Sequence, residues 1–394
     1  MVLIMAILCT EDDELFKQFK DKVSIKKVLF HIKDIFKDHW NNFLNKYDYF
    51  NIRKTVFDNI KRMLKCKTLD LGFDVFKCPN CGKEKICFHT CKSRMCSSCG
   101  NKYNNQRQAS IFSKLFKFKH RHVVWTIPED LRRYFREDRK RLNLLFKASQ
   151  ITVECWFKEK YKKKNITPGF ISILHTYGRD IGWNPHIHMI LLEGGINKDG
   201  FVSVNFFAYA SFRKRFMKVL LDLLDNEINT SEFKQLKRDL YRRYPKGFYV
   251  FSPPTKFKTV DGLIKYVTRY VARPVMAESR IIDYDGKYVT FWYQRHEDNK
   301  IVIEKIHVFE FISRIILHIP EKNMKYIRYY GCYNESTKNV TSKMKEMFRK
   351  CNKKAIELKK AITKWRLNIQ ISFNIDPLKC PKCDTIMVYT ESVW

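Results

Sequence analysis

An α+β fold, an antiparallel sheet with helices on one side, is what this 394-residue chain predicts. Three observations carry the expectation. Residues 167–195, TPGFISILHTYGRDIGWNPHIHMILLEGG, hold two apolar runs, Phe170 to Leu174 and Ile187 to Leu192. Between them lie Gly178, Gly182, Asn184 and Pro185, so the stretch reads as two antiparallel strands joined by a loop. Further short strands are read at 122–128 (HVVWTIP, closed by Pro128), at 201–207 and at 247–254. Between these, apolar residues recur at helical spacing from Glu129 to Lys164 and from Arg213 to Tyr244. Strand, helix, strand pair, helix, strand is the order that such a fold requires.

The remaining elements follow in chain order. Residues 14–65 are polar with Val28, Phe30, Ile32, Ile35 and Phe36, then Val56, Phe57, Ile60 and Leu64, at helical intervals, which predicts a small helical segment. Residues 103–117 read as a further helix. Past the second strand set, 288–306 alternates and turns like a hairpin, Phe309 to Ile319 is helical, and 324–331 (MKYIRYYG) is a basic aromatic strand. A lysine-rich helix is expected from Thr341 to Lys364.

Composition narrows the function. Lys plus Arg is 76 against 41 acids, and 76 − 41 = +35, with a pI near 9.7. A positive excess of this size, spread along the chain, is the footprint of a protein that binds a polyanion, most often nucleic acid. An A·T-rich genome would explain choosing Lys over Arg, but not the shortage of acids. No run reaches the 18 apolar residues of a membrane span. The opening MVLIMAILCT is too short, lacks a basic start and runs into Glu11-Asp12-Asp13-Glu14, so a cytoplasmic location is expected, and with it reduced thiols. Thirteen cysteines in that setting point to metal rather than disulfides.

Six of those cysteines lie between Cys78 and Cys99. Cys78-x2-Cys81 is a knuckle shaped by Pro79 and Gly82, and fourteen residues later Cys96-x2-Cys99 repeats it, again followed by Gly. Two such pairs predict one closed four-thiolate structural Zn2+ site. Cys87, His89 and Cys91 lie between the knuckles, and either replace one ligand or complete a second site. Lys83, Lys85, Lys92, Arg94 and Lys102 give the module a basic surface suited to a phosphate backbone, or simply to solvent. Cys380-Pro381-Lys382-Cys383 is half a zinc site, to be completed by Cys332 and Cys351, by a partner chain, or not at all.

Two stretches carry chemistry. In His186-Ile187-His188 both imidazoles project to one face of a strand and can hold one metal ion; the plainer reading is two half-buried polar residues at a strand start. In DGLIKYVTRYVARP, residues 261–274, Leu263, Ile264, Val267 and Val271 mark a helix ended by Pro274. Tyr266 and Tyr270, four apart, emerge side by side, with Lys265, Arg269 and Arg273 as a parallel basic stripe. Alone these could be packing residues. Beside a metal site in a basic protein, the phenols read better as nucleophiles, with the cations favouring phenolate and gripping a phosphate.

A cysteine module, a His-x-His strand and a Tyr-x3-Tyr helix occur here in that order. Together with HTCKSRMCSSCG, NPHIHMILLEGG, YVTRYVARPVMAESRI and IRYYG, the order resembles the two-tyrosine HUH transposases of bacterial rolling-circle insertion sequences, from about Lys77 onward. The resemblance implies an HUH-type nuclease domain, with His186 and His188 as metal ligands, Tyr266 and Tyr270 as nucleophiles, and His175 on the preceding strand as third ligand. It points to Mg2+ or Mn2+ at that site, where imidazoles alone would suggest Zn or Mn. It also implies nicking and rejoining of single-stranded DNA through 5′-phosphotyrosine intermediates. The expected organisation is a helical segment (1–70), a zinc-binding module that contacts DNA through Lys92 and Arg94 (71–110), the nuclease domain with its tyrosine helix (111–275), and a hairpin and helical region ending in the Cys-x2-Cys half site (276–394). No G-x4-G-K-[ST] loop is present, so strand separation falls to host helicase or replication factors, superhelicity or an end hairpin. The expected setting is a bacterial cytoplasm, nucleoid-associated, with a homo-oligomer open. Two alternatives share parts of the pattern: an HUH replication initiator or relaxase, and a non-catalytic zinc-dependent DNA-binding protein. The second leaves His186, His188, Tyr266 and Tyr270 unexplained.

Overall fold

The structure is a computed structural model that describes residues 30–47, 52–204, 209–252, 275–295, 298–334 and 353–394. The stretch with Lys265, Tyr266, Arg269, Tyr270 and Arg273 lies outside the described residues, as does Cys351. The fold is α+β.

The chain enters through α1 (Ile32–Lys46) and α2 (Lys54–Leu64). Ile32, Ile35, Phe36, Trp40 and Phe43 recur every three or four residues, so one stripe of α1 is buried while its lysines stay in water. A hairpin of β1 (Phe73–Lys77) and β2 (Glu84–Phe88) follows, then α3 (Ser97–Phe112), which begins at Cys96. Next come β3 (His120–Trp125), α4 (Glu129–Glu137) and α5 (Leu142–Lys160). The single helix expected over 129–164 is thus two. Asp138 takes an extended conformation, and its carboxylate accepts from the Lys140 N–H at 2.8 Å, starting a short 3₁₀ turn (Arg139–Arg141) before α5.

The hairpin expected around the histidines is present: β4 (Thr167–Tyr177) pairs antiparallel with β5 (Trp183–Asn197), and β6 (Gly200–Ser203) turns back onto β5. The second expected helix is also two, α6 (Tyr209–Ile228) and α7 (Ser231–Arg243). Asn229 adopts φ +47°, and the Thr230 hydroxyl caps the next helix by accepting from Phe233 N–H at 3.2 Å. Beyond them lie β7 (Val250–Phe251), β8 (Ile281–Tyr284), β9 (Tyr288–Gln294), β10 (Ile301–His307), α8 (Val308–Ile316) and β11 (Ile327–Gly331). The chain ends in α9 (Lys353–Thr363), α10 (Trp365–Phe373) and β12 (Val388–Val393).

The central sheet runs β11-β4-β5-β3-β7, with β6 beside β5, and its pairings are antiparallel. Its two faces differ, because side chains alternate along a strand. Phe170, Leu174, Ile187, Met189, Leu191, Val123 and Trp125 point to one face and join buried residues of α4, α5, α6 and α7 in the main core. Each such side chain contributes roughly 1.5–3 kcal/mol by leaving water. The opposite face carries Ile171, Ile173, Ile190 and Leu192, covered by Ile111, Leu115 and Phe116 from the end of α3 and the loop after it. The same parity puts His122, His175, His186 and His188 on this second face. Helices α4–α7 therefore pack on one side of the sheet, and the histidines sit on the other, the face that the end of α3 partly covers.

A second core joins α1 and α2 to α8 and the β8–β10 sheet, with Phe36, Ile60, Phe291, Phe311 and Ile312 fully buried. No helix among the described residues is long and apolar enough to cross a membrane.

A histidine cluster and two cysteine clusters

His175 and His186 are direct cross-strand partners, and His188 stands opposite Ile173 on one side and Val124 on the other. This register gathers the three imidazoles. Their nearest nitrogens all lie within 4.8 Å of one another, and His186 Nε2 is 3.0 Å from His188 Nε2. That is the spacing of two nitrogens each about 2.1 Å from one shared ion. His175 and His188 are buried, and His186 is half-buried.

The far nitrogens of the cluster are held as well. His186 Nδ1 donates to the Asn184 carbonyl at 2.7 Å, which turns Nε2 inward. His188 Nδ1 lies 2.9 Å from Nε2 of His122, and the two rings stack 5.1 Å apart. Burial pushes His122 down to about 4, so its imidazole is neutral and can accept the His188 Nδ1 proton. Sequence reading gave His122 only as part of a strand. Its role depends on which strand lies beside β5, which no local pattern reveals.

Beside His175 opens a cleft lined by Arg94, Thr176, Val275, His318 and Tyr326. The Arg94 guanidinium lies 4.8 Å over the Tyr326 ring, bringing a cation of the cysteine-rich region next to the histidines. Lys92 is exposed, at φ +55°. Val275, which lines this cleft, is the first described residue after the Tyr-x3-Tyr stretch.

The cysteines correct the expected single four-thiolate site. Cys78 and Cys81 do not meet Cys96 and Cys99; each knuckle belongs to a different cluster. In the first cluster, Cys66, Cys91, Cys96 and Cys99 converge, with Sγ separations of 3.7 Å (Cys66–Cys99), 3.6 Å (Cys91–Cys99) and 3.7 Å (Cys66–Cys96). All four are buried, and hydrogen bonds from Cys66, Cys91 and Cys96 hold Cys99 far below the usual thiol range. Cys66 was missed in the sequence because it lies outside the clustered motif, just past α2; its only local mark is a cysteine following a helix. Cys91 takes the place that the Cys78 knuckle was expected to fill. His89 is not a ligand here: it bonds Asp74 Oδ1 and the Leu71 carbonyl, each at 3.0 Å. Cys87 is half-buried in β2 and joins neither set. The second cluster pairs Cys78 and Cys81 with Cys380 and Cys383. Cys332, offered as a partner for the last pair, is instead buried beneath Gly169, where burial pushes its thiol up to about 12.

A histidine-centred site on an antiparallel sheet, joined to a cysteine-ligand module, defines a class that comparison with known proteins identifies as transposases carrying a zinc-binding domain. A family model described as "Putative transposase" matches residues 169–341, and one described as "Transposase zinc-binding domain" matches residues 35–127. The transposase for insertion sequence element IS801 of Pseudomonas savastanoi pv. phaseolicola is 27% identical over 356 residues, which cover 87% of this chain and 85% of that protein. "Putative transposase y4qJ" of Sinorhizobium fredii (strain NBRC 101917 / NGR234) is 28% identical over 286 residues, 68% of this chain and 71% of that one. No solved structure matches. The chain is thus similar to insertion-sequence transposases over most of its length, and its residues 35–127 are similar to a transposase zinc-binding domain.

Proposed function

We propose that this protein is a transposase of the HUH type, a metal-dependent tyrosine nuclease that nicks and rejoins single-stranded DNA at the ends of its element. The convergence of His175, His186 and His188 at one point of the sheet carries the reading. These three residues would hold a divalent ion, Mg2+ or Mn2+, which when bound supplies a Lewis acid for a non-bridging phosphate oxygen. Tyr266 and Tyr270 are the proposed nucleophiles. A tyrosine oxygen attacks phosphorus, the bond to the 3′ oxygen breaks, and that oxygen leaves with a proton while the phenol has given up its own. The product is a 5′-phosphotyrosine and a free 3′-OH, and the conserved phosphodiester energy permits rejoining without ATP.

The excess of +35 supplies the attraction to DNA, and the basic stripe Lys265, Arg269 and Arg273 is proposed to grip the backbone beside the tyrosines. Arg94, at the rim of the histidine cleft, and Lys92 would extend that contact into the proposed zinc module (71–110), next to the nuclease domain (111–275). The first zinc ion is assigned to Cys66, Cys91, Cys96 and Cys99, the cluster that lies within the matched zinc-binding domain.

The test is incubation of the purified protein with single-stranded oligonucleotides from its own element ends and Mn2+ or Mg2+. An SDS-stable protein–DNA adduct that disappears with EDTA is expected. Tight binding with no adduct under either metal would discard the nuclease reading and leave a DNA-binding protein.

His122 should act as a positioning residue. His122→Phe removes the acceptor for His188 Nδ1, and the Mn2+ concentration giving half-maximal nicking should rise about 10–100-fold. The maximal rate at saturating Mn2+ should be largely retained. Equal loss at all metal concentrations would instead mark a folding defect.

A further inference from the structure

The two halves of the second cysteine cluster are separated by almost the whole chain, yet they are built alike. Each reads Cys-Pro-x-Cys: Cys78-Pro79-Asn80-Cys81 and Cys380-Pro381-Lys382-Cys383. In the first, Cys78 N–H donates to the Lys83 carbonyl at 2.9 Å, and Gly82 N–H to the Cys78 carbonyl at 3.0 Å. In the second, Cys380 N–H donates to the Thr385 carbonyl at 2.9 Å, and Asp384 N–H to the Cys380 carbonyl at 3.0 Å. The residue after the second cysteine is left-handed in both, Gly82 at φ +69° and Asp384 at φ +60°. The chain therefore forms the same knuckle twice, and the fold sets the two face to face.

Their sulfurs interleave. Cys78 Sγ is 3.4 Å from Cys383 Sγ, and Cys81 Sγ is 3.6 Å from both Cys380 and Cys383. Four thiolates about 2.3 Å from one zinc ion stand roughly 3.8 Å apart, whereas a disulfide would need about 2.05 Å. All four cysteines are free. The chain on either side is paired too: β12 lies antiparallel to β1, which pairs with β2, giving a three-stranded sheet β12-β1-β2 whose outer strand comes from the far end of the protein.

Beyond its backbone pairing, that strand is tied by surface contacts. Thr390 Oγ1 donates to the Val75 carbonyl at 2.9 Å, Ser392 Oγ donates to Asp74 Oδ1 at 2.6 Å, and Tyr389 and Trp394 pack on Phe76 and His89. Every residue of β12 is exposed, and the buried core of this unit is Phe76, Cys78, Cys380 and Met387, two of them the cysteines themselves. So small a core supplies little hydrophobic stabilisation, and units of this size are commonly closed by a structural metal.

We propose that Cys78, Cys81, Cys380 and Cys383 bind a second structural zinc ion, closing a split zinc ribbon from segments about 300 residues apart in the chain. The site lies partly outside the matched zinc-binding domain, which ends at residue 127. It fastens residues 377–394 onto the β1–β2 hairpin. Upstream, α10 has its own anchors: Trp365 stacks on Phe76 at 6.0 Å, Arg366 pairs with Asp376, and Asn105 of α3 donates to the Ser372 hydroxyl at 2.9 Å. Loss of the ion should free the last strand while leaving α10 in place.

Zinc per chain, measured by plasma emission on the full-length protein purified under reducing conditions, should be two in the wild type and one in Cys380→Ser/Cys383→Ser. One zinc in the wild type, or two in the variant, overturns the proposal. A measurement on the unaltered protein covers a variant that fails to fold. Cys81 and Cys383 are half-buried and would react with N-ethylmaleimide unless a metal holds them. In zinc-replete protein both should be protected, and a chelator should expose them together, as read by peptide mass spectrometry. Full-rate labelling of both in the zinc-replete protein would likewise overturn the site.

Discussion

His188→Ala is expected to lower DNA nicking by on the order of 10³-fold, the scale on which losing one preorganised group that stabilises transition-state charge is felt. His188 is the buried middle of the cluster, 3.0 Å from His186 on one side and 2.9 Å from His122 on the other. Removing it takes a ligand from the proposed ion and leaves the neutral His122 facing a gap. DNA affinity should change little, because attraction to the backbone comes from a charge excess of +35 spread over the chain. Nicking assays beside gel-shift titrations separate the two quantities. His186→Ala, at a half-buried position, should give the same split with less disturbance of the sheet. If both variants nicked within tenfold of wild type, the imidazole cluster would be structural and the metal assignment would fail.

The histidine cluster was legible because its signals are local. Apolar runs of strand length, a turn-rich centre and the period of two put His186 and His188 on one face, and a hairpin made His175 their cross-strand neighbour. What the sequence concealed depends on long-range register. His122 joins the cluster only because β3 lies beside β5, with Val124 opposite His188. The cysteines misled for a related reason. Cys78-x2-Cys81 and Cys96-x2-Cys99 have the spacing of a single zinc site, and spacing cannot tell whether two knuckles face each other or face elsewhere. Here each has another partner: Cys66 and Cys91 for one, Cys380 and Cys383 for the other. The helix breaks at Asp138 and Asn229 were missed because apolar periodicity runs through both, whereas local side-chain capping at Asp138 and Thr230 decides them.

The tyrosine pair gives the largest expected effect. Tyr266→Phe/Tyr270→Phe removes two oxygens and nothing else of size, so the fold and the basic stripe of Lys265, Arg269 and Arg273 should survive. Without a phenol oxygen no bond to phosphorus can form, and the adduct should fall to below about one part in 10³ of wild type, as loss of a covalent nucleophile does. The single variants carry further information. On the helix that the apolar spacing predicts, residues four apart would emerge on one face, so either phenol would reach the same phosphate position in turn. One single variant should block the first adduct; the other should form it and stall before strand transfer, accumulating covalent complex. Both steps are read on the same denaturing gel with labelled end and target oligonucleotides. A double variant that still formed adduct would place the nucleophile elsewhere. Equal behaviour of the two singles would mean that the tyrosines are interchangeable, and the ordered alternation that strand transfer needs would have to come from the DNA.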